Sequence, residues 1–361
     1  MDFYKLPVRH VRKDTRDAIV VEFAVPAHLR DTFTYTQGQY LTLRTTIDGE
    51  EHRRSYSICA SPRSGRLRVA IKRVEGGVFS SWAHGGLREA DEIEVASPQG
   101  RFFVPLDPHS VRSYLAVAAG SGITPVLSLM ETTLELEPKS RFTLVYGNRS
   151  ASSTMFREEL AHLKDRYLDR LALIFVTSRE RQEIDAFNGR IDRERMLALC
   201  SGWIDLEATD YVFICGPESM MEGVAAALDE RGFPRERTVI ERFVSDGTVA
   251  RERRERAGSQ AERLVHASVV LDGTVRTFEI RKDSESVLEA GLRQGIDLPF
   301  SCKGGVCSTC RAQLTAGEVD MDVHFALEDY EVRSGVVLMC QSHPVTDEVA
   351  LDVDAIAAQL V

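Results

Sequence analysis

Cys302-Lys303-Gly304-Gly305-Val306-Cys307-Ser308-Thr309-Cys310 places three thiols at the spacing C-x4-C-x2-C, and Cys340 follows 30 residues later. That spacing is a ligand pattern of a [2Fe–2S] cluster. Four thiolates must surround two irons without collision, so the loop needs small residues. Gly304, Gly305 and Ser308 supply room and backbone freedom, and their N–H groups can stabilise the charge added on reduction. Zinc is the alternative for four cysteines. A zinc ribbon, however, uses two C-x2-C hooks, and Cys340 has no close partner in sequence. A Rieske-type cluster needs two histidine ligands, and His324 and His343 do not form such a motif.

Outward from this loop the chain changes character. The other three cysteines, Cys59, Cys200 and Cys215, are scattered, so the clustering near the C-terminus reads as metal binding and not as disulfides. The chain carries 45 Lys+Arg and 55 Asp+Glu, a net charge of −10. From Leu264 to Val361 there are 7 basic and 16 acidic residues, so this segment alone holds −9. It reads as a separate acidic domain whose partner surface is basic. Asp320, Asp322, Glu328, Asp329 and Glu331, between the third and fourth cysteines, are its expected steering face. The overall sign argues against nucleic-acid binding. The first thirty residues have no apolar secretory core. The most apolar stretch, Tyr114–Met130, is broken by Gly120, Gly122 and Pro125 and is too short for a membrane span. A soluble cytoplasmic chain is the expectation.

Upstream, Leu115-Ala-Val-Ala-Ala-Gly120-Ser121-Gly122-Ile123-Thr124-Pro125 is an apolar strand, a glycine turn and a helix start. Backbone amides at such a start can cradle a pyrophosphate. Alone, the pattern fits any tight strand-to-helix turn. It gains weight from Ile214-Cys215-Gly216-Pro217, a second strand-end glycine turn. Strands are expected at Ser113–Ala119, Phe142–Tyr146, Leu171–Val176 and Tyr211–Cys215. Helices are expected at Val126–Leu136, Met155–Arg166, Ile191–Leu199 and Met220–Arg231. This alternation implies a parallel sheet with both glycine turns on its carboxyl edge. The second strand ends Asn148-Arg149 and the third Ser178-Arg179. Arg149, Ser178 and Arg179 suit a ribose 2′-phosphate, which favours NADPH, with NADH the alternative. Solvated surface arginines are the ordinary reading of the same residues.

Residues 18–106 read as all-β, with short apolar runs (Ile19–Phe23, Tyr40–Leu43, Tyr56–Ile58, Leu67–Val74, Glu92–Val95) spaced as in a small barrel. In Arg54-Ser55-Tyr56-Ser57, alternation puts Arg54 and Tyr56 on one face, a phosphate clamp beside a ring that packs on a planar cofactor. Gly76-Gly77-Val78-Phe79-Ser80 reads as a turn into a helix, a second anion cradle with Ser80 as N-cap. Each piece is unremarkable alone; their order before a nucleotide domain makes the case.

Taken together, the R-x-Y-S, G-x-x-S, G-x-G-x-T-P and C-G-P signatures resemble the ferredoxin–NADP reductase superfamily, with a plant-type ferredoxin fused at the C-terminus. The resemblance covers essentially the whole chain. Arg53–Cys59, Tyr146–Arg149, Gly189-Arg-Ile, Glu241-Arg-Phe243 and Cys302–Cys307 are similar to reductase subunits of bacterial multicomponent epoxidases. Ser178-Arg179 departs from those subunits toward NADPH-preferring reductases in general. The resemblance implies an antiparallel flavin-binding β-barrel (1–109), a parallel α/β nucleotide domain (110–244), a linker (245–263) and a β-grasp ferredoxin domain (264–361). It implies FAD on Arg54, Ser55, Tyr56, Ser57, Lys72 and the Gly77–Ser80 turn (Gly77, Val78, Phe79, Ser80). It places the nicotinamide nucleotide on Gly120, Ser121, Gly122, Ile123, Thr124, Cys215, Gly216 and Pro217. Ser57 is expected beside flavin N5, Cys215 beside the nicotinamide and Phe243 near the isoalloxazine. Cys302, Cys307, Cys310 and Cys340 are the expected cluster ligands.

NADPH releases two electrons as a hydride, a [2Fe–2S] cluster takes one, and a flavin converts between the two. The expected function is therefore electron transfer from NADPH through FAD and the cluster to the oxygenase component of a multicomponent monooxygenase. A reductase of a ring-hydroxylating or steroid-hydroxylating oxygenase shares the domain order. A redox-sensing iron–sulfur protein is the alternative from another class.

Overall fold

The computed structural model describes residues 1–243, 263–282 and 284–357. Six strands open the chain: β1 (Phe3–Thr15), β2 (Ala18–Phe23), β3 (Tyr40–Ile47), β4 (Glu50–Ser57), β5 (Leu67–Lys72) and β6 (Glu92–Ala96). They pair antiparallel in the order β4-β3-β6-β1-β2-β5. An Ile58–Val69 bridge joins the two outer strands and closes the barrel. Leu6, Val8, Val21, Leu41, Leu43, Val69 and Val95 fill it. The all-β region thus starts well before residue 18, where the sequence pattern begins it. β1 buries only Leu6 and Val8 outright, among lysines and arginines, so its apolar signal is thin. Helix α1 (Val78–Gly86) follows β5 and turns Phe79 and Ala83 inward.

Next come β7 (Ser113–Ala119), α2 (Ile123–Leu136), β8 (Arg141–Asn148), α3 (Arg157–Arg166), β9 (Leu171–Thr177), α4 (Arg193–Gly202), β10 (Tyr211–Cys215), α5 (Glu218–Glu230) and β11 (Thr238–Glu241). The five strands are parallel in the order β11-β10-β7-β8-β9. The order reverses between β7 and β10, the switch point where open α/β sheets bind ligands. The expected strands and helices are all present. β11 has no counterpart among them, being four half-buried residues without a periodic pattern.

Barrel and α/β sheet belong to one compact unit, Asp2–Phe243. Its seam is polar. Arg68, buried on β5, donates to both carboxylate oxygens of Glu159 on α3, at 3.2 and 2.6 Å. The Phe156 N–H donates to Asp14 at 3.0 Å, the Ser61 N–H to Glu131 at 3.0 Å and the Ser128 hydroxyl to the Ala60 carbonyl at 2.6 Å. Removing one partner of a buried ion pair costs about 3–5 kcal/mol, so this network fixes the angle at which the barrel faces the switch point.

The second compact unit contains the cysteine loop. Here β12 (Leu264–Leu271), β13 (Thr274–Arg281), β14 (Arg311–Ala316), β16 (Val336–Leu338) and β18 (Glu348–Asp352) form a mixed sheet in the order β13-β12-β18-β14-β16. Only the β12–β18 pair is parallel. β15 (Val319–Met321) and β17 (Ser342–Pro344) make a small ribbon. The helix Val287–Arg293 starts at a Ser286–Glu289 capping box and buries Val287, Leu288 and Ala290 in the same core as Cys310 and Cys340. A helix packed on a mixed sheet is the β-grasp arrangement. The expected linker, apart from Arg263, lies outside the described residues. Among the described residues no helix is long and apolar enough to cross a membrane.

Candidate functional site

Register brings the flavin candidates together. On β4, Arg54 lies opposite Leu43, Ser55 opposite Thr42, Tyr56 opposite Leu41 and Ser57 opposite Tyr40. Arg54 and Tyr56 share a half-buried face, while Ser57 is buried. The Tyr56 ring sits 5.7 Å from that of Phe79 on α1, which in turn contacts Trp82 at 5.4 Å. Phe79 is thus a core residue under Tyr56, and what it can offer a ligand is its backbone N–H. The helix begins one turn earlier than expected. Gly77 is its N-cap, not Ser80. The buried Ser80 hydroxyl accepts from the Val74 N–H at 3.1 Å and donates to the Gly77 carbonyl at 3.3 Å, so it ties the turn from inside. The amides of Val78, Phe79 and Ser80 form the open first turn. A Cβ on Gly77 would meet Ser80 Oγ at 2.7 Å.

Beside this turn a cleft of about 500 Å³ is lined by Asp17, Lys72, Arg73, Val74, Glu75, Gly76, Ser81 and Arg149. Burial first, then neighbouring Arg149, pushes the Lys72 ammonium below the ordinary lysine range, while Asp17 partly offsets this. Such a pair of cations is relieved by an anion. Lys72 Nζ also lies 3.3 Å from where a Cβ on Gly120 would be, so it stands between the barrel and the dinucleotide turn.

That turn is shaped by close backbone approach. A Cβ on Gly122 would fall 2.0 Å from the Cys215 carbonyl oxygen, so only glycine lets the β7–α2 turn meet the end of β10. Gly120 has φ +55°, and its carbonyl accepts from the Tyr146 hydroxyl at 2.8 Å. The Thr124 hydroxyl donates to the Ser121 carbonyl at 2.9 Å, and Ile123 and Thr124 begin α2. Gly216 and Pro217 lead into α5, whose N-cap is Pro217. Cys215 is buried, in register with Ala118 on one side and Glu241 on the other. Burial, and behind it the Glu241 carboxylate, pushes its thiol well above the ordinary cysteine range. At neutral pH it is a neutral thiol, suited to packing against a ring and not to nucleophilic attack. Sequence reasoning does not single out Glu241 as a site residue. It ends a strand too short to announce itself.

Exposed Arg149, Ser178 and Arg179 are drawn side by side. The Ser178 N–H donates to the Asn148 carbonyl at 2.9 Å and the Arg179 N–H to that of Arg149 at 2.8 Å. The neighbouring Asn148 side-chain nitrogen is buried, close enough to the Tyr146 hydroxyl to hold its pKa down against burial. Phe243, 40% exposed, ends the described part of this unit.

The four clustered thiols come together as two pairs, Cys302 with Cys307 and Cys310 with Cys340. Within each pair a hydrogen bond pushes one thiol down, Cys302 to about 7 and Cys340 in the same direction, and pushes its partner up. Two pairs fit two irons with two protein thiolates each. The Gly304 N–H reaches Cys302 Sγ at 3.3 Å, and the Gly305 amide helps to hold the Cys340 thiol below its ordinary range. Lys303, Ser308 and Gly305 all take positive φ to make this possible. The expected acidic face is smaller than the sequence implied. Glu331 is buried and pairs with Arg311 at 2.7 Å, and Asp322 pairs with His343 at 3.2 Å. Asp320, Glu328 and Asp329 remain exposed.

Comparison with known proteins matches these parts in order. Residues 5–104 match the oxidoreductase FAD-binding domain, 116–226 the oxidoreductase NAD-binding domain and 269–345 the 2Fe-2S iron-sulfur cluster binding domain. The chain is 44% identical to a component of the 1,2-phenylacetyl-CoA epoxidase of Escherichia coli (strain K12) over 353 residues, 98% of each chain. It is 32% identical to the ferredoxin reductase component of 3-ketosteroid-9-alpha-monooxygenase of Rhodococcus rhodochrous over 353 residues, 96% of each. Among solved structures, phthalate dioxygenase reductase superposes with TM-score 0.62 at 26% identity, covering 97% of this chain and 98% of that one.

Proposed function

This chain belongs to the family of FAD-, NAD- and [2Fe–2S]-binding reductases that includes these oxygenase components, and from that premise we propose that it delivers electrons from NADPH to the oxygenase of a phenylacetyl-CoA epoxidase. The observation that carries the choice of partner is the 44% identity, which runs through all three cofactor regions and exceeds the 32% and 35% to steroid monooxygenase reductase components. When bound, the nicotinamide supplies a hydride, the flavin separates its two electrons, and the cluster carries them singly.

The chain's own residues set up that exchange. Arg54 and the first-turn amides of α1 hold the flavin phosphates. Tyr56, backed by Phe79, gives the ring a flat wall. Ser57 offers a hydroxyl at the buried end of β4. Lys72, at the junction of barrel and sheet, offers its ammonium to the flavin on the side that faces the dinucleotide turn. Gly122 lets the edge formed by Cys215 and Gly216 come close, and the neutral Cys215 thiol packs there without competing as a nucleophile. Arg149, Ser178 and Arg179 receive a 2′-phosphate, which is the basis for preferring NADPH. The four cysteines hold the cluster in two pairs.

The test is reconstitution. Purified chain plus the epoxidase oxygenase, phenylacetyl-CoA and NADPH should form epoxide with matched NADPH consumption, and the steroid monooxygenase oxygenase should support little turnover. The reverse preference would overturn the choice of partner. Arg179→Ala should lower kcat/KM for NADPH about tenfold, the value of one charge-assisted hydrogen bond, and leave NADH unchanged. Equal losses with both would overturn the 2′-phosphate site.

A further inference from the structure

Gln341 follows the fourth cysteine and belongs to no motif. Its side chain is buried, 5% exposed. Its amide nitrogen, Nε2, lies 3.1 Å from the Lys303 carbonyl, 2.9 Å from the Cys340 carbonyl and 3.4 Å from Cys340 Sγ. Three acceptors around one atom settle which end of the amide points inward, because an oxygen there would face only other acceptors. The main chain is held from both sides. The Gln341 N–H donates to the Leu338 carbonyl at 2.8 Å, and the Gln341 carbonyl accepts from the Asp322 N–H at 3.0 Å. The stem is held too, since a Cβ on Gly305 would meet Gln341 Cγ at 3.0 Å.

We propose that Gln341 is a positioning residue for the iron–sulfur centre, its amide clasping the 302–310 loop to the Cys340 segment and donating to the Cys340 sulfur. The inference rests on the reading that Cys340 is a ligand. The Lys303 contact spans 38 positions of sequence, so this one side chain joins the segment bearing three thiols to the segment bearing the fourth. The sulfur contact has a second consequence. The reaction it bears on adds one electron to the cluster, with no bond made or broken and no proton taken up. The added charge spreads onto the ligand sulfurs, and a donor on a sulfur favours the reduced form. The Gly304 and Gly305 amides act in the same direction, but they are backbone groups. Gln341 is a side-chain contribution that substitution can remove.

The test uses purified holoenzyme. In Gln341→Met, close in volume and without a donor, mediator titration followed in the visible spectrum should show the reduced-to-oxidised ratio at fixed potential falling about tenfold, a shift of about −59 mV for one electron. Flavin content and NADPH reduction of the flavin should not change. Gln341→Glu, which sets a carboxylate against the sulfur, should shift the ratio further. An unchanged midpoint in Gln341→Met overturns the proposal. If Gln341→Met purifies without iron, Gln341→His decides the matter by restoring an N–H donor. Recovery of the cluster supports the clasp, and its continued absence overturns it. The ligand reading is tested separately: a normal cluster in Cys340→Ser would refute that reading whatever Gln341 does.

Discussion

In the cluster site proposed around Cys302–Cys310, the groups offered to the cofactor are side chains, three of them within nine residues of sequence. In the dinucleotide site proposed around Gly120–Gly122 they are backbone amides, opposed by a strand end about 95 residues away. The first site is written in residue identity, and any one substitution removes a bond. The second is written in sheet register and clearance, and substitution acts by spoiling an approach. The difference predicts where single changes abolish a cofactor outright and where they only weaken a function.

The strongest way to break the contrast is at the thiols. Replacing any of Cys302, Cys307, Cys310 or Cys340 by Ser should eliminate or badly destabilise the cluster, measured as iron and acid-labile sulfide per chain. NADPH should still bleach the flavin at the normal rate, because the reductase unit, Asp2–Phe243, has its own core. Loss of flavin reduction together with the cluster would mean that the two sites are not separable in this way.

The same contrast explains what is legible in the sequence. The [2Fe–2S] domain is legible because ligand chemistry fixes both residue type and spacing in its cysteine loop. The parallel sheet is legible because its strands are long apolar runs such as Leu115–Ala119. β1 escapes because the barrel accepts one inward residue in two, and Lys5, Arg9, Arg12 and Lys13 dominate its composition. A role for Glu241, which stands in a segment that carries the resemblance, and Gln341 altogether escape for a different reason. Their importance lies in a neighbour, Cys215 in register for one and the Lys303 carbonyl and Cys340 sulfur for the other, and no pattern along the chain announces a neighbour. Ser80 has the expected turn but a different task. A serine three residues into a helix ties the turn as readily as it caps one.

Next in size is Gly122→Ala. Its Cβ would lie 2.0 Å from a backbone oxygen that cannot swing aside. Overpacking of this kind costs about 1–3 kcal/mol, equivalent to roughly 5- to 150-fold in binding. The KM for NADPH should rise within that range while the cluster spectrum stays intact. Gly202→Ala, with nothing within 4 Å, is the control that should change neither. A normal KM in Gly122→Ala would show that the turn has more slack than its geometry allows.

Arg54→Ala sharpens the comparison inside the barrel, where a side chain takes the part that the dinucleotide turn assigns to backbone. Losing a charge-assisted phosphate contact costs about 1.5–3 kcal/mol, or roughly 10- to 150-fold in flavin affinity. Flavin should wash out during purification and return when supplied in excess. Full occupancy in the purified variant would move the phosphate site away from β4.

The smallest effect belongs to the surface of the acidic unit. Under the proposed function an electron leaves through a transient contact, a kind of encounter that charge can steer. Asp320, Glu328 and Asp329 are exposed, whereas Glu331 is buried against Arg311 and its other oxygen accepts the Glu328 N–H at 2.8 Å. The two kinds of acid should separate cleanly. Reversing Glu328 and Asp329 to Lys should slow coupled oxygenase turnover several-fold at low salt and leave ferricyanide reduction unchanged, because ferricyanide needs no docked protein. Raising salt should erase the difference, since the Debye length falls from about 10 Å at 0.1 M to about 3 Å at 1 M. Reversing Glu331 instead should destabilise the fold by about 3–5 kcal/mol through the stranded Arg311, visible as a lower Tm at any salt. If the Glu328 and Asp329 reversals slow ferricyanide reduction as much as coupled turnover, these acids are part of the fold and not of a docking face, and the charge of −9 serves solubility alone.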